Sequence, residues 1–425
     1  MVVATGLYLV ALLLITLFTD AIFGVNAQSL AYAPLALCLM VLVYLALVRG
    51  PRDFIQRWWT SSPMMAAGLL FLGGLAASMP NAHELGLAGK DFLRWSFVWL
   101  VYAPVTRAIC DRPGRCALFA RAAAVFVAGF AGLAVGDLFT GGALTRSAVG
   151  RAAMTYEGRY QSLYENPGIF AGMLIVGFPL AVTPALTERG ARRRAAWLLG
   201  LAVILTGMLL SGSRAALVTA VVTTVVVATA LRRWWLLGLT GAVVIGISVL
   251  LSTGTLEGPP SLVRFQQGLV GSGTGTRSLQ RRMLIWSVAG ELIQRRPVVG
   301  WGGAQLRYHQ HGGFKRAHNA WLDAWLDGGL LAALAMLIVA AAVVRRAWLT
   351  LRGEHEHWVR PTHVALVGAC LAVLAGWMVR AGIGSRIDWL PIFMLFGLNW
   401  EHCGSGACEA RRDARVGGKD NDGAA

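Results

Sequence analysis

Charged side chains are scarce. Asp, Glu, Lys and Arg make up 14% of the 425 residues, against roughly 25% in an ordinary soluble domain. That shortage excludes a chain wetted over most of its surface. Apolar residues fill 56% instead, with a mean hydropathy of +0.60. A secretory leader is also missing: the first apolar run, "LYLVALLLITLF", has no basic segment ahead of it and passes straight into Asp20 and a second run. No cleavable signal peptide is therefore expected. The six cysteines, Cys38, Cys110, Cys116, Cys370, Cys403 and Cys408, sit in apolar runs, near their basic ends or in the tail. None lies in a long loop where a disulfide would form, and "EHCGSGAC" reads as a tail with incidental thiols.

What is present is long apolar runs. A helical span needs about 20 mostly apolar residues, and twelve candidates are centred near residues 12, 38, 70, 101, 127, 176, 203, 223, 243, 336, 371 and 393. The expected fold is all-α: a polytopic integral membrane protein of about 12 transmembrane helices spanning residues 1–400, with a polar, Gly-rich, disordered cytoplasmic tail at 401–425. Alternate loops hold Arg49, Arg52 and Arg57; Arg107, Arg112 and Arg115; Arg189 and Arg192 to Arg194; Arg232 and Arg233; Arg345, Arg346, Arg352 and Arg360. Because short cytoplasmic loops are enriched in Lys and Arg, these lie inside and both termini are cytoplasmic. The net charge of +17 is thus partly a topology signal, and no nucleic-acid partner is expected.

The basic residues that break this rule fall in three outer loops. One loop is far longer than a connector requires, running from about 253 to 327 between the ninth and tenth spans, and long loops on rigid scaffolds commonly carry function. Within it, "SLQRRMLIWSVAGELIQRRP" predicts a helix with Leu279, Met283, Trp286, Gly290 and Ile293 on one face and Pro297 stopping it. Its Arg281, Arg282, Arg295 and Arg296 either snorkel to headgroups or bind an anion. "AHNAWLDAWLDGG" is read as helical too, with His318, Leu322, Trp325 and Gly329 on one face and Asn319, Asp323 and Asp327 at intervals of four.

Arg214, in "LSGSRAAL", follows a turn permitted by Gly212 and capped by Ser211 and Ser213. It is either an interfacial anchor or, with exposed N–H groups at a helix start, an anion site. Arg159 in "EGRYQSLYENPG" poses the same choice, with Tyr160 and Gln161 beside it. Guanidinium groups at several helix ends suit a multiply charged anion such as a diphosphate. His318 is open to three roles: a structural hydrogen-bonder, a metal ligand with His309 and His311, or a base. An imidazole near pKa 6.5 is suited to the last, and neighbouring Arg charges would keep it neutral.

The order of "SGSRAAL", then Arg282 with Trp286 and "PVVGWG", then "AHN" and "DGGLLA" resembles the bacterial O-antigen ligase and polymerase superfamily of membrane glycosyltransferases. The likeness runs from about residue 159 to the tenth span. In ligases His-Asn is commonly followed by Gly-x-x-Gly, whereas here Gly329 is followed by Ala332 at the last place. The resemblance implies transfer of a glycan from undecaprenyl diphosphate at the periplasmic face of the inner membrane, with no metal and no other cofactor. Partners implied are undecaprenyl-diphosphate-linked O-antigen, a lipid A-core oligosaccharide and membrane lipids. It implies His318, Arg214 and Arg282 as catalytic, with Arg159, Tyr160, Gln161, Arg281, Arg316 and Asn319 binding substrate. Asp20, Asp323 and Asp327 are the reserve carboxylates.

Among family activities, the His-Asn motif and long loop favour a ligase over a polymerase. The short tail disfavours a protein O-oligosaccharyltransferase, and no soluble Rossmann-type domain is present for a nucleotide sugar. A twelve-span transporter is the rival of another class, but it would place ionisable groups near the midplane, and these spans are almost free of charge.

Overall fold

The computed structural model describes residues 63–110, 113–149, 160–161, 167–238, 273–309, 316–352, 360–378 and 386–398. Every regular element among them is helical. In chain order they are α1 (Pro63–Ser78), α2 (Leu85–Phe97), α3 (Ala103–Ile109), α4 (Pro113–Thr140), α5 (Ala143–Val149), α6 (Pro167–Thr187), α7 (Ala191–Leu210), α8 (Arg214–Leu231), α9 (Gly273–Arg295), α10 (Ala320–Arg352), α11 (Arg360–Trp377) and α12 (Arg386–Gly397). A π turn, Val98–Tyr102, joins α2 to α3. Helix is the physical default for such runs, because lipid offers no partner for an open backbone N–H or C=O.

Among the described residues six helices are long and apolar enough to cross a membrane: α1 with its 3-10 extension, α4, α6, α7, α8 and α10. They match the runs centred near 70, 127, 176, 203, 223 and 336, while the run near 101 falls in α2 and α3. Those near 371 and 393 fall in the shorter apolar helices α11 and α12. The expected spans near 12, 38 and 243, the tail, and loop residues 253–272 and 310–315 lie outside the described residues. The described residues are those of a helical, polytopic membrane protein.

Packing ranks the helices. In its most apolar window α6 is 89% buried, against 22% for α7, so α6 is central and α7 peripheral. α11 packs on α6 and α8, and α1 lies along α10 in the most extensive helix pair. Gly74 and Gly328 meet there: a Cβ on Gly74 would overlap the Gly328 carbonyl oxygen. Small residues at a crossing let backbones approach and replace the hydrophobic drive that lipid removes. Trp95, Trp99, Trp377, Trp389 and Phe393 form a buried aromatic column beside this pair, with Trp99 and Trp389 ring centroids 4.9 Å apart.

Two expectations about the loop helices are corrected. The helix over 278–296 exists but begins at Gly273, and its buried stripe is Ile285, Ala289, Leu292 and Ile293 rather than one through Met283, which is 59% exposed. The stripe is chosen by its partners, Leu306, Ala317 and Leu326, which form a small separate core with it. The helix over 317–329 begins only at Ala320, and it is broken at Gly329, where φ is 66° and ψ −157°. That conformation is essentially restricted to glycine.

Candidate active site

The break at Gly329 is filled by the segment that follows α9. Trp301 N donates to Leu326 O at 2.8 Å and Gly302 N to Asp327 O at 3.1 Å, while Leu330 N donates to Val298 O at 3.0 Å. Groups that a continuous helix would pair internally are thus paired with "PVVGWG", as buried irregular backbone requires. Gly300 and Gly302 adopt φ of 76° and 89° to make the turn. Asn81 Nδ2 closes it from the end of α1 by donating to Gly300 O at 3.2 Å. The two quoted motifs are two halves of one backbone joint.

His318 stands just before the shorter segment of α10. Asn319 Oδ1 accepts from Trp321 N at 3.0 Å and Leu322 N at 3.3 Å, which makes Asn319 the helix cap. Its Nδ2 donates to Met378 O at 3.2 Å, tying the cap to the end of α11. His318 therefore lies outside the helix, with φ of 55°, and the expected face uniting it with Leu322 and Trp325 is replaced by a left-handed turn. The reason is local: an Asn side chain that satisfies two orphan N–H groups ends helix propagation toward the N-terminus.

α9 supplies the other wall. Trp286 Nε1 donates to Ala317 O at 2.9 Å, fixing the carbonyl next to His318. Arg282, one turn before Trp286, is half-buried, whereas Arg281 is exposed. Burial, and then the Arg282 charge, push the His318 imidazole below its ordinary 6.5. A neutral imidazole beside a guanidinium can accept a proton while the cation stabilises an anion.

Behind His318 lies an ion cluster. Arg316 donates through Nη1 to Asp327 Oδ2 and through Nη2 to Asp91 Oδ2, the latter at 2.7 Å. Desolvation alone would lower the Arg316 pKa, but the carboxylates of Asp327, Asp91 and Asp323 outweigh it and raise it above its ordinary value. Asp327 Oδ1 accepts from Ala304 N at 3.1 Å and Asp323 Oδ1 from Ala317 N at 2.7 Å. Arg316, expected to contact phosphate, is thus engaged by two carboxylates, and Asp323 and Asp327 hold backbone. Asp91 escaped the sequence reading. Its partner is 225 residues away, and one acid in "GKDFLRW" carries no local sign of that pairing.

A second polar group surrounds the α7–α8 turn. Gly212 takes φ of 60°, Ser211 Oγ donates to Met208 O at 2.7 Å, and Ser213 Oγ accepts from Ala216 N at 3.4 Å. Arg214 is the first residue of α8 and is half-buried. Tyr160 is buried against this turn, its N–H donating to Leu210 O at 3.1 Å; burial, then the Asp137 charge, raise its phenol above the ordinary 10.0. Gln161 follows, half-buried. Arg159 and Asp20 lie outside the described residues.

The described residues are thus those of a polytopic helical membrane protein in which His318, Arg316, Asp91, Asp323 and Asp327 gather at a broken helix. The O-antigen ligase family model matches residues 199–337, and over that stretch the chain is similar to the O-antigen ligase family. The matched stretch holds Arg214, Arg281, Arg282, Arg316, His318 and Asn319, but neither Tyr160 nor Asp91. No curated protein matches the chain.

Proposed function

We propose that the protein is an O-antigen ligase, moving O-antigen polysaccharide from undecaprenyl diphosphate to a lipid A-core acceptor at the periplasmic face of the inner membrane. The observation that carries this reading is His318, held just outside a helix cap, half-buried, and depressed in pKa beside Arg282. In the reaction the acceptor hydroxyl oxygen attacks the anomeric carbon and its proton passes to His318. The bond from that carbon to the diphosphate breaks, and the electron pair leaves with the diphosphate. A single displacement of this kind inverts the anomeric configuration.

Arg214 and Arg282 stabilise the leaving diphosphate, with Arg159 and Arg281 as further contacts. Preorganised cations of this sort are worth about 10² to 10³ in rate each, and they stand where other enzymes use a divalent ion. Tyr160, whose N–H meets Leu210 O at the α7–α8 turn, and Gln161 after it line the donor path. Asn319 and Arg316 act through the backbone of His318 rather than on substrate.

The test is reconstitution of purified protein with undecaprenyl-diphosphate-linked O-antigen and lipid A-core, with and without EDTA, alongside His318→Ala and Arg214→Ala. Ligation that resists EDTA and is lost in both variants supports the reading. Longer chains on the carrier without transfer to core would replace it with a polymerase. Full activity in His318→Ala would remove the base.

A further inference from the structure

We infer that Asp91 of α2 is a positioning residue for His318, acting through Arg316; this rests on His318 being the base. The path is short. Asp91 Oδ2 accepts from Arg316 Nη2 at 2.7 Å, and Arg316 precedes His318 by two residues. The pair joins α2 to a segment otherwise held by α9, by α10 and by the end of α11, so it fixes the segment from a further direction.

The geometry shows why this segment needs fixing. A φ of 55° at His318 lies in the left-handed region, which costs a non-glycine residue free energy and persists only where its surroundings over-determine it. On one side Asn319 is locked by its cap and by Met378 O. On the other, Ala317 is gripped through its carbonyl by Trp286 and through its N–H by Asp323. Arg316 is the outer anchor of the same turn, and its fork spans Asp327 and Asp91 at once.

Asp91 is itself closely shaped. A Cβ on Gly303 would fall 2.7 Å from Asp91 Cβ and 2.9 Å from its Oδ2, so glycine there lets the carboxylate in. Gly303 belongs to the same run that fills the break in α10, and Asp327, the other partner of Arg316, accepts from Ala304 N. Loss of Asp91 leaves Arg316 paired to Asp327 alone, free to swing about one contact. His318 then samples other backbone conformations. A misplacement of about 1 Å can cost roughly 10²-fold in rate.

The experiment uses full-length protein in lipid nanodiscs and two readings. The first is kcat and KM for transfer from the lipid-linked donor. The second is the rate at which diethyl pyrocarbonate modifies His318, read by mass spectrometry of its peptide without any substrate. Asp91→Asn is expected to lower kcat about tenfold to a hundredfold, to leave donor KM within about twofold because no substrate contact is lost, and to speed His318 modification. Arg316→Lys keeps the charge but replaces the fork with a point donor, so it should shift both readings the same way to a smaller extent; it carries the test if Asp91→Asn does not yield folded protein. Wild-type kcat, or an unchanged modification rate, would overturn the inference. An active His318→Ala would instead overturn the base assignment, and the modification rates would still report whether Asp91 positions the histidine.

Discussion

At the scale of single residues, the proposed chemistry turns on the charge state of His318. Burial and Arg282 hold its pKa below 6.5, and only the neutral imidazole accepts a proton. kcat/KM should therefore rise with pH through that depressed pKa and be level by neutrality. Removing the cation in Arg282→Gln takes away the charge contribution and leaves the burial, so the acid limb should move to higher pH. The same variant should lower kcat by about 10² to 10³, as loss of one preorganised donor does. A pH profile of residual activity between about pH 5 and 8 checks the direction, around the ordinary imidazole value. An acid limb that stays put or moves down would show that Arg282 does not face the imidazole. His318→Ala should lose roughly 10²- to 10⁴-fold, the usual worth of a positioned base.

At the scale of elements, the broken helix explains two motifs that periodicity alone misread. Spacing put His318 and Gly329 on one helical face, yet both have positive φ, and neither the cap at Asn319 nor the break at Gly329 shows in a period of 3.6. The composition held the clue: Gly328 and Gly329 stand in a run of otherwise good helix formers, and glycine inside a helix costs about 1 kcal/mol unless it has a use. The turn at Arg214 was legible because Gly212, Ser211 and Ser213 act on their own neighbours. Met283 was placed on the wrong face because the partners that bury α9 come from residues 306, 317 and 326, which its own sequence does not reveal. Gly329→Ala follows from the same geometry. A Cβ there would overlap the Val298 carbonyl, and a left-handed or extended-positive backbone costs a side chain about 1–3 kcal/mol before any clash. Thermal unfolding in detergent should show a fall of several degrees or a failure to fold. By contrast Trp286→Phe, which loses the bond to Ala317 O and part of the indole's packing on the small core, should cost about 1–3 kcal/mol. Equal stability of Gly329→Ala and the parent would mean that the joint is not what closes the site.

At the scale of the whole molecule, the candidate chemistry depends on which side of the bilayer the break in α10 faces. The proposed side rests on the charge rule: Arg189, Arg192, Arg193 and Arg194 crowd the α6–α7 connection, and Arg345, Arg346 and Arg352 the far end of α10. Cytoplasmic loops collect such residues, and the proposal therefore puts α9, the Gly329 joint and the α7–α8 turn on the opposite face. The exposed positions Arg193 and Arg281 report the two sides. In a background whose native cysteines are replaced, Arg281→Cys should react with a membrane-impermeant maleimide in intact spheroplasts. Arg193→Cys should react only after the membrane is opened. Among the described residues the native thiols, Cys110, Cys116 and Cys370, are buried, so removing them should leave the surface charge unchanged. The reverse labelling pattern would put the basic cluster outside and His318 in the cytoplasm, away from the face where the proposed transfer occurs. The ligase reading would then fall whatever His318 does, because donor and acceptor would meet on the other side of the membrane.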